Sequence, residues 1–457
     1  MGLINMNHKT NMTLAVFGLG HVGLPTALGF ADLGWNVIGV DSDRSKVESL
    51  TKGHVPFFED GVDSLLKKHL KSDKFVVSSD SNWAVNQADI LFICVATPEY
   101  KDGSADISQI ENLAYQLRDS IKSYKIVIQK STTPVNTAEK IRIILSQPKE
   151  NEEVQSADKF VDVVVIPEFL REGKAIEDFF NPQRIVVGLD DMSLKETIIN
   201  LYMPLFQKIG KEEQDLMIFT DTRSAEISKN AANSFLATKL SFINMVSDLC
   251  LKVGANIDSV SRSIGADPRI GTDFLKAGIG YGGECLPKDL NSFIDSGKTN
   301  GVNFSILEEV QKVNDNRVTV YLSQIKDTLP NLKDMSFAVW GLAFKPNTDE
   351  IRNSPAINII NKLIEEYAKL RLYDPLAMPV FKNQIGTSEL ISFASDPIDA
   401  AVDSNGVLIL TDWPQFKEQD LSKLFQVMKT PIIFDGRNML DRDFVTESGF
   451  EYYGLGI

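Results

Sequence analysis

Cysteine is scarce in this 457-residue sequence: Cys94, Cys250 and Cys285 are its three thiols. The number is odd and the positions scattered, which argues against a disulfide framework and leads us to expect a reducing, cytoplasmic setting. Histidine is confined to His8, His21, His54 and His69, so no later segment can supply an imidazole base or a histidine-containing metal cluster, and no metal is expected. Positive charge is in deficit, 47 Lys and Arg against 62 Asp and Glu for a net charge of -15, so neither nucleic acid nor an anionic membrane is an expected partner. No charge-free apolar run reaches the ~18 residues of a membrane span. The opening MGLINMNHKT lacks a signal-peptide core, and residues 1–11 are expected to be a flexible tail.

What is present is ordinary globular composition, at a length that suits roughly two to four domains of ~100–200 residues each. The apolar run Thr13–Phe17 enters Gly18-Leu-Gly20-His-Val-Gly23. A helix-compatible stretch follows, and a second apolar run, Asn36–Val40, ends at Asp41. In such a strand–turn–helix–strand unit Gly18 allows the tight turn, Gly20 lets backbone approach a pyrophosphate, and Gly23 permits close helix–strand packing. Asp41 is placed to hold a ribose 2′-hydroxyl, which favours NAD over NADP.

Further strands are expected at Ile90–Val95, Ile126–Ile128 and Val161–Ile166, with helices between them, as a doubly wound α/β sheet requires. Gln147–Asp158 reads as a surface loop. From about Asp221 to Gly254 runs one long helical pattern without proline or interior glycine, expected to connect two α/β units. The alternation then resumes: Met335–Trp340 enters Gly341, a helix starts near Ser354, and Leu370–Tyr373 ends at Asp374. Later strands are expected at Gly406–Leu410 and Pro431–Phe434. This second Rossmann-like half keeps only Gly341 of the fingerprint and has Lys345 after its turn, so it is expected to bind an anion without being a standard dinucleotide site.

The stretch from Gly280 to Asp289 is the most informative for chemistry. Its glycines strip side chains from around Cys285, four residues before the carboxylate of Asp289, which suits a thiol used in covalent catalysis. Cys94 and Cys250, in apolar surroundings, read as packing residues. Lys229 and Asn233 are spaced i, i+4 and share one face of the long helix, where they can hold a substrate oxygen or a water. Ser131–Val135 and Pro167–Glu172 each follow a strand, at the carboxyl ends where open α/β sheets place ligands. Ordinary readings compete: a solvated lysine on the helix, and a proline turn or helix start with dipole-matched acids at Glu168 and Glu172.

Five motifs occur in order: GLGHVGLPTA at Gly18, STTPV at Ser131, PEFLREGKAIEDFFNPQRIVVG at Pro167, KNAANSFLATKLSFIN at Lys229 with GIGYGGECLPKD at Gly278, and GLAFKPNTDEIRNSP at Gly341. Together they resemble the UDP-glucose/GDP-mannose dehydrogenase family from Leu14 to about Arg437. The resemblance implies two Rossmann-like domains joined by a long central helix and a helical middle domain. Its boundaries would be 12–212 for NAD binding, 213–325 for the central dimerisation domain and 326–457 for nucleotide-sugar binding.

The activity it implies is an NAD-dependent, two-step oxidation of a nucleotide sugar's C6 primary alcohol. UDP-glucose to UDP-glucuronate is favoured, within polysaccharide precursor synthesis. Cys285 would be the nucleophile, with Lys229, Asn233, Asp289, Glu168 and Thr132 completing the catalytic set. NAD would meet Gly18, Gly20, His21, Val22, Gly23, Asp41, Lys46, Thr97, Thr132, Glu172, Lys288 and Arg352. The sugar nucleotide would meet Glu168, Phe169, Leu170, Lys229, Asn233, Arg269, Phe274, Lys276, Gly282, Phe344, Lys345 and Arg437. The family's arginine at the place of Arg269 reaches a neighbouring subunit, which implies a homodimer or larger homo-oligomer.

Lys288 and Asp289 resemble the hexose-oxidising branch. The opening GLGHVGLPTA, Glu284 before the cysteine and Ile166 before Pro-Glu depart from it and keep UDP-N-acetylhexosamine and GDP-mannose as alternatives. A two-electron hydroxyacid dehydrogenase, which would not need Cys285, and a non-catalytic NAD-sensing protein remain as rivals.

Overall fold

A computed structural model of the chain describes residues 12–148, 161–386 and 388–457. The expected tail and most of the expected loop Gln147–Asp158 lie outside the described residues. The chain divides into two compact units, residues 1–231 and 232–457.

The first unit is built on eight strands: β1 (Thr13–Phe17), β2 (Asn36–Val40), β3 (Phe75–Ser78), β4 (Ile90–Ile93), β5 (Lys125–Gln129), β6 (Val161–Val165), β7 (Ile185–Gly188) and β8 (Met217–Thr220). They pair in the order β3-β2-β1-β4-β5-β6-β7-β8. The reversal of strand order beside β1 makes the doubly wound switch point. Successive residues of β1 face opposite sides, as strand geometry demands. Leu14 and Val16 pack with Leu24, Leu28 and Phe30 of the helix Gly23–Asp32, while Ala15 and Phe17 pack with Leu113 and Leu117 of the helix Ser108–Ser120. Both faces are therefore covered, and each fully buried Leu or Phe contributes about 1.5–3 kcal/mol.

The sheet differs from the sequence expectation in not being parallel throughout: β7 meets β6 antiparallel at Val165↔Gly188, and β8, at Met217–Thr220, then runs parallel to β7.

The second unit carries six strands, β9 (Ser336–Trp340), β10 (Lys369–Tyr373), β11 (Ile391–Phe393), β12 (Gly406–Ile409), β13 (Ile432–Asp435) and β14 (Glu451–Gly454). Their order, β11-β10-β9-β12-β13-β14, repeats that of the first six strands of the other sheet. Helices Ile257–Gly265, Cys285–Thr299 and Ser305–Thr328 precede this sheet in the chain.

The long helix is Thr222–Val253, 32 residues. Its buried residues include Glu226, Lys229, Asn230, Asn233, Ser234, Ser241, Asn244 and Ser247, whereas Phe235, Phe242, Met245, Leu249 and Val253 are exposed. By length and composition the helix is apolar enough to cross a membrane. The face it buries within the chain, however, is mostly polar, with Ala225, Ala237, Ile243 and Cys250 among it, as expected of a helix that builds a site.

Candidate active site

In the first unit the glycine turn has the form that the fingerprint requires. Gly18 has φ +91°, and a Cβ on Gly23 would lie 1.8 Å from the Gly18 carbonyl oxygen, so neither place tolerates a side chain. A Cβ on Gly20 would meet nothing within 4 Å, which leaves open space above the helix start for a pyrophosphate. Asp41 accepts the Leu19 N–H at 2.9 Å and the Asp43 N–H at 3.0 Å, and pairs with Lys46 Nζ at 2.8 Å. The His21 ring lies 4.1 Å from that of Phe57, with Nδ1 4.0 Å from the buried Glu59 carboxylate. An open glycine turn with an acid at the end of β2 fits NAD, whose role when bound is to accept hydride.

Adjacent parallel strands β5 and β6, in register at Gln129↔Val165, bring together two loops that are far apart in sequence. Thr132, in the loop after β5, accepts Thr97 Oγ1 on its carbonyl at 2.8 Å. Glu168, in the loop after β6, pairs with Lys229 Nζ at 2.9 Å and accepts the Leu170 N–H at 2.7 Å. Both partners are nearly inaccessible, at 5% and 4% side-chain exposure. Burial works against the Glu168 carboxylate, but the Lys229 ammonium, the Lys130 charge and the Leu170 N–H together hold the group below its ordinary range. Thus Lys229 is not the solvated helix lysine of the ordinary reading. Glu172 follows in the turn that leads to the helix Ala175–Phe180.

Two residues here escaped the sequence reading. Arg184, just before β7, places its guanidinium 3.8 Å from the centre of the Phe169 ring, while Lys229 Nζ lies 5.5 Å from that centre. Lys130 is buried at the end of β5, where desolvation lowers its pKa and Cys94, Glu168 and Lys229 contribute electrostatically. A lone charge bordering an apolar strand was the available signal for both.

In the second unit Cys285 is the exposed cysteine of the three and opens the helix Cys285–Thr299, whose dipole favours negative charge at that end. Cys94 is buried and its thiol pushed up to about 12 by desolvation, as befits an inert packing residue. One turn into the helix, the buried Asp289 accepts Asn233 Nδ2 at 2.6 Å and lies 3.0 Å from Lys288 Nζ. For Lys288, burial is outweighed by Asp289, Cys285 and Glu284 together, and its pKa is raised.

The turn before Cys285 is braced by the segment after β9. The Gly283 N–H donates to the Arg352 carbonyl at 3.0 Å, Asn353 Nδ2 donates to the Gly283 carbonyl at 3.0 Å, and Arg352 pairs with Glu284 at 2.7 Å. A side chain on Gly283 would collide with the Phe344 ring at 2.7 Å, and one on Gly282 with the Asn353 carbonyl oxygen at 2.2 Å. Lys345 Nζ lies 5.4 Å from the Phe344 ring centre.

Arg437 is partly buried and donates to the carbonyls of Leu410 (2.7 Å), Gly280 (2.9 Å) and Phe344 (3.1 Å). Lys276 pairs with Asp412 at 3.3 Å. Phe274, with φ +61°, is partly exposed. Arg269, 87% exposed, folds onto its neighbour Asp267 and stands apart from these groups.

The chain matches known domains along most of its length. Residues 12–206 match the NAD-binding domain, 223–316 the central domain and 338–442 the UDP-binding domain of the UDP-glucose/GDP-mannose dehydrogenase family. A UDP-glucose 6-dehydrogenase of Rhizobium meliloti is 38% identical, covering 97% of this chain and 99% of that one. A solved UDP-glucose dehydrogenase from Pyrobaculum islandicum superposes with a TM-score of 0.87 at 32% identity over 100% of both chains. A UDP-D-ManNAc dehydrogenase from Pyrococcus horikoshii does so at 0.83 and 25%, covering 97% of this chain and 99% of that one. The protein is an NAD-dependent nucleotide-sugar dehydrogenase, a member of the UDP-glucose/GDP-mannose dehydrogenase family.

Proposed function

We propose that the protein oxidises the C6 primary alcohol of UDP-glucose twice, to UDP-glucuronate, with Cys285 as the covalent nucleophile. The observation that carries the covalent step is the position of Cys285: exposed, at a helix N-terminus, with Asp289, Lys288 and Asn233 packed behind it. In the first step C6 gives a hydride to NAD and its hydroxyl loses a proton, leaving an aldehyde. The Cys285 thiolate adds to that carbon to form a thiohemiacetal. Loss of a second hydride to a second NAD leaves a thioester, and attack by water releases the carboxylate and returns the thiolate.

Lys229 is assigned to the oxygen that gathers negative charge, Asn233 and Asp289 to orienting it and moving protons, and Glu168 and Thr132 to the hydrolytic water. NAD is assigned to Gly18, Gly20, His21, Val22, Gly23, Asp41, Lys46, Thr97, Thr132, Glu172, Lys288 and Arg352. The sugar nucleotide is assigned to Phe169, Leu170, Arg269, Phe274, Lys276, Gly282, Phe344, Lys345 and Arg437, besides Lys229, Asn233 and Glu168. Arg437, with its donors on three carbonyls, would act by bracing the Gly280 and Phe344 backbone. The same reading assigns NAD binding to about 12–212, dimerisation to 213–325 and the nucleotide sugar to 326–457. A homodimer is supported by the exposed apolar row Phe235, Phe242, Met245, Leu249 and Val253, whose helical spacing makes a stripe that a second copy would cover.

Likeness to the UDP-D-ManNAc dehydrogenase favours a UDP-N-acetylhexosamine as the second reading. The test is NADH production with a panel of UDP- and GDP-sugars. Two NADH per UDP-glucose, lost in Cys285→Ser, is the expected result; turnover restricted to an N-acetylated sugar transfers the assignment to that substrate. One NADH per sugar with an active Cys285→Ser refutes the covalent mechanism.

A further inference from the structure

Within the first unit one buried carboxylate has no part in the chemistry above. Glu226, on the long helix three residues before Lys229, is 3% exposed, and burial raises its pKa. Its carboxylate is nevertheless well supplied with donors. Oε2 accepts the Asn136 N–H at 2.7 Å, and Oε1 accepts the Ala138 N–H at 2.8 Å and Gln129 Nε2 at 3.2 Å. These amides open the helix Thr137–Ser146, whose own N-cap residue, Asn136, is left-handed at φ 73° and provides no side-chain cap. Glu226 thus caps a helix some ninety positions earlier in the chain.

A second bolt lies one turn on, where Asn230 Nδ2 donates to the Thr133 carbonyl at 2.9 Å. Thr133 Oγ1 in turn receives Gln129 Nε2 at 2.6 Å, and Arg223 Nε donates to Asn136 Oδ1 at 2.9 Å. The loop after β5 is thereby fastened to the long helix on both sides of Lys229. Thr132 is left half-buried between its buried neighbours Ser131 and Thr133.

We infer that Glu226 is a positioning residue for catalysis: together with Asn230 it locks the Thr132 loop to the segment of the long helix that presents Lys229 to Glu168. The inference rests on the assignment of Thr132 and Lys229 to the active site. Displacing one catalytic group by about 1 Å costs rate on the order of 100-fold while leaving binding contacts elsewhere intact.

The test compares Glu226→Ala and Glu226→Gln by steady-state kinetics and by amide hydrogen exchange. In Glu226→Ala, exchange is expected to rise by about tenfold or more at 133–140 alone, and kcat to fall by about tenfold or more with KM for the sugar nucleotide within about twofold. Glu226→Gln, which keeps one carbonyl acceptor, is expected to recover part of both. Should the alanine variant not fold, Glu226→Gln and Asn230→Ala carry the same readouts. Wild-type kcat in a folded variant, or exchange raised evenly along the unit, overturns the positioning role. Thr132→Ala separates the two readings: full activity there refutes the role of Thr132, whereas the exchange at 133–140 still decides whether Glu226 holds the loop.

Discussion

The turns that follow β1 and β9 share one backbone design and differ in what their acids have left to offer. Gly18 (φ +91°) and Gly341 (φ +100°) each donate N–H to the last residue of the neighbouring strand, Val40 and Tyr373, at 2.8 Å. The next N–H in each turn, Leu19 or Leu342, donates to the acid just past that strand, Asp41 at 2.9 Å or Asp374 at 2.7 Å. There the likeness ends. Asp374 also receives the N–H groups of Ala343, Leu376 and Ala377 and the Trp413 indole. A carboxylate offers about four lone-pair sites, so Asp374 is saturated by its own domain. Asp41 receives Leu19, Asp43 and the Lys46 side chain, a partner that can move aside for a ribose.

Gly20 opens onto empty space, while the matching Ala343 is fully buried. The helix starts at Gly23 in the first turn but only at Pro355 in the second. The acid of the device is therefore left with a displaceable side-chain partner in one unit and is consumed by its own domain in the other.

Substitutions can break this comparison. The largest effect is expected for Gly23→Ala, whose Cβ would fall 1.8 Å from the Gly18 carbonyl oxygen. A stability loss of about 4 kcal/mol and failure to bind NAD should appear in thermal unfolding and fluorescence titration, whereas Pro346, at the matching place, shows that the second turn accepts a side chain. Next comes Asp374→Ala, which strands five donors, four of them buried, and should cost about 3 kcal/mol in denaturant unfolding without lowering NAD affinity in the folded fraction. Gly20→Val should behave in the opposite way, with an unfolding midpoint near wild type and NAD affinity reduced by about 100-fold, because its methyls enter the pyrophosphate space. The smallest effect is expected for Asp41→Asn, a loss of about tenfold in NAD affinity with little change in stability. If Asp41→Asn destabilises the fold as much as Asp374→Ala, the two acids do the same work and the distinction fails.

The strand–glycine–acid units were legible because each lies within some forty residues and rests on local rules of turn and period. Cys285, amid glycines and ahead of Asp289, was legible for the same reason. Lys229 illustrates the boundary: its i, i+4 partner Asn233 could be read from helical spacing, but its burial against Glu168 could not, since that requires β6 to lie beside β5. The antiparallel joint at Val165 depends on how β7 turns back against β6, which no local rule of turn or period fixes.

By itself the sequence determined the two α/β units, the fit to NAD and the glycine-flanked place of Cys285, since each is encoded by neighbours along the chain. Only the tertiary structure decided which of two equivalent acids stays available, which lysine is buried, and that Glu226 caps a helix built from Thr137–Ser146. Those outcomes depend on which donors reach a buried carboxylate, and the donors come from segments that only folding brings together.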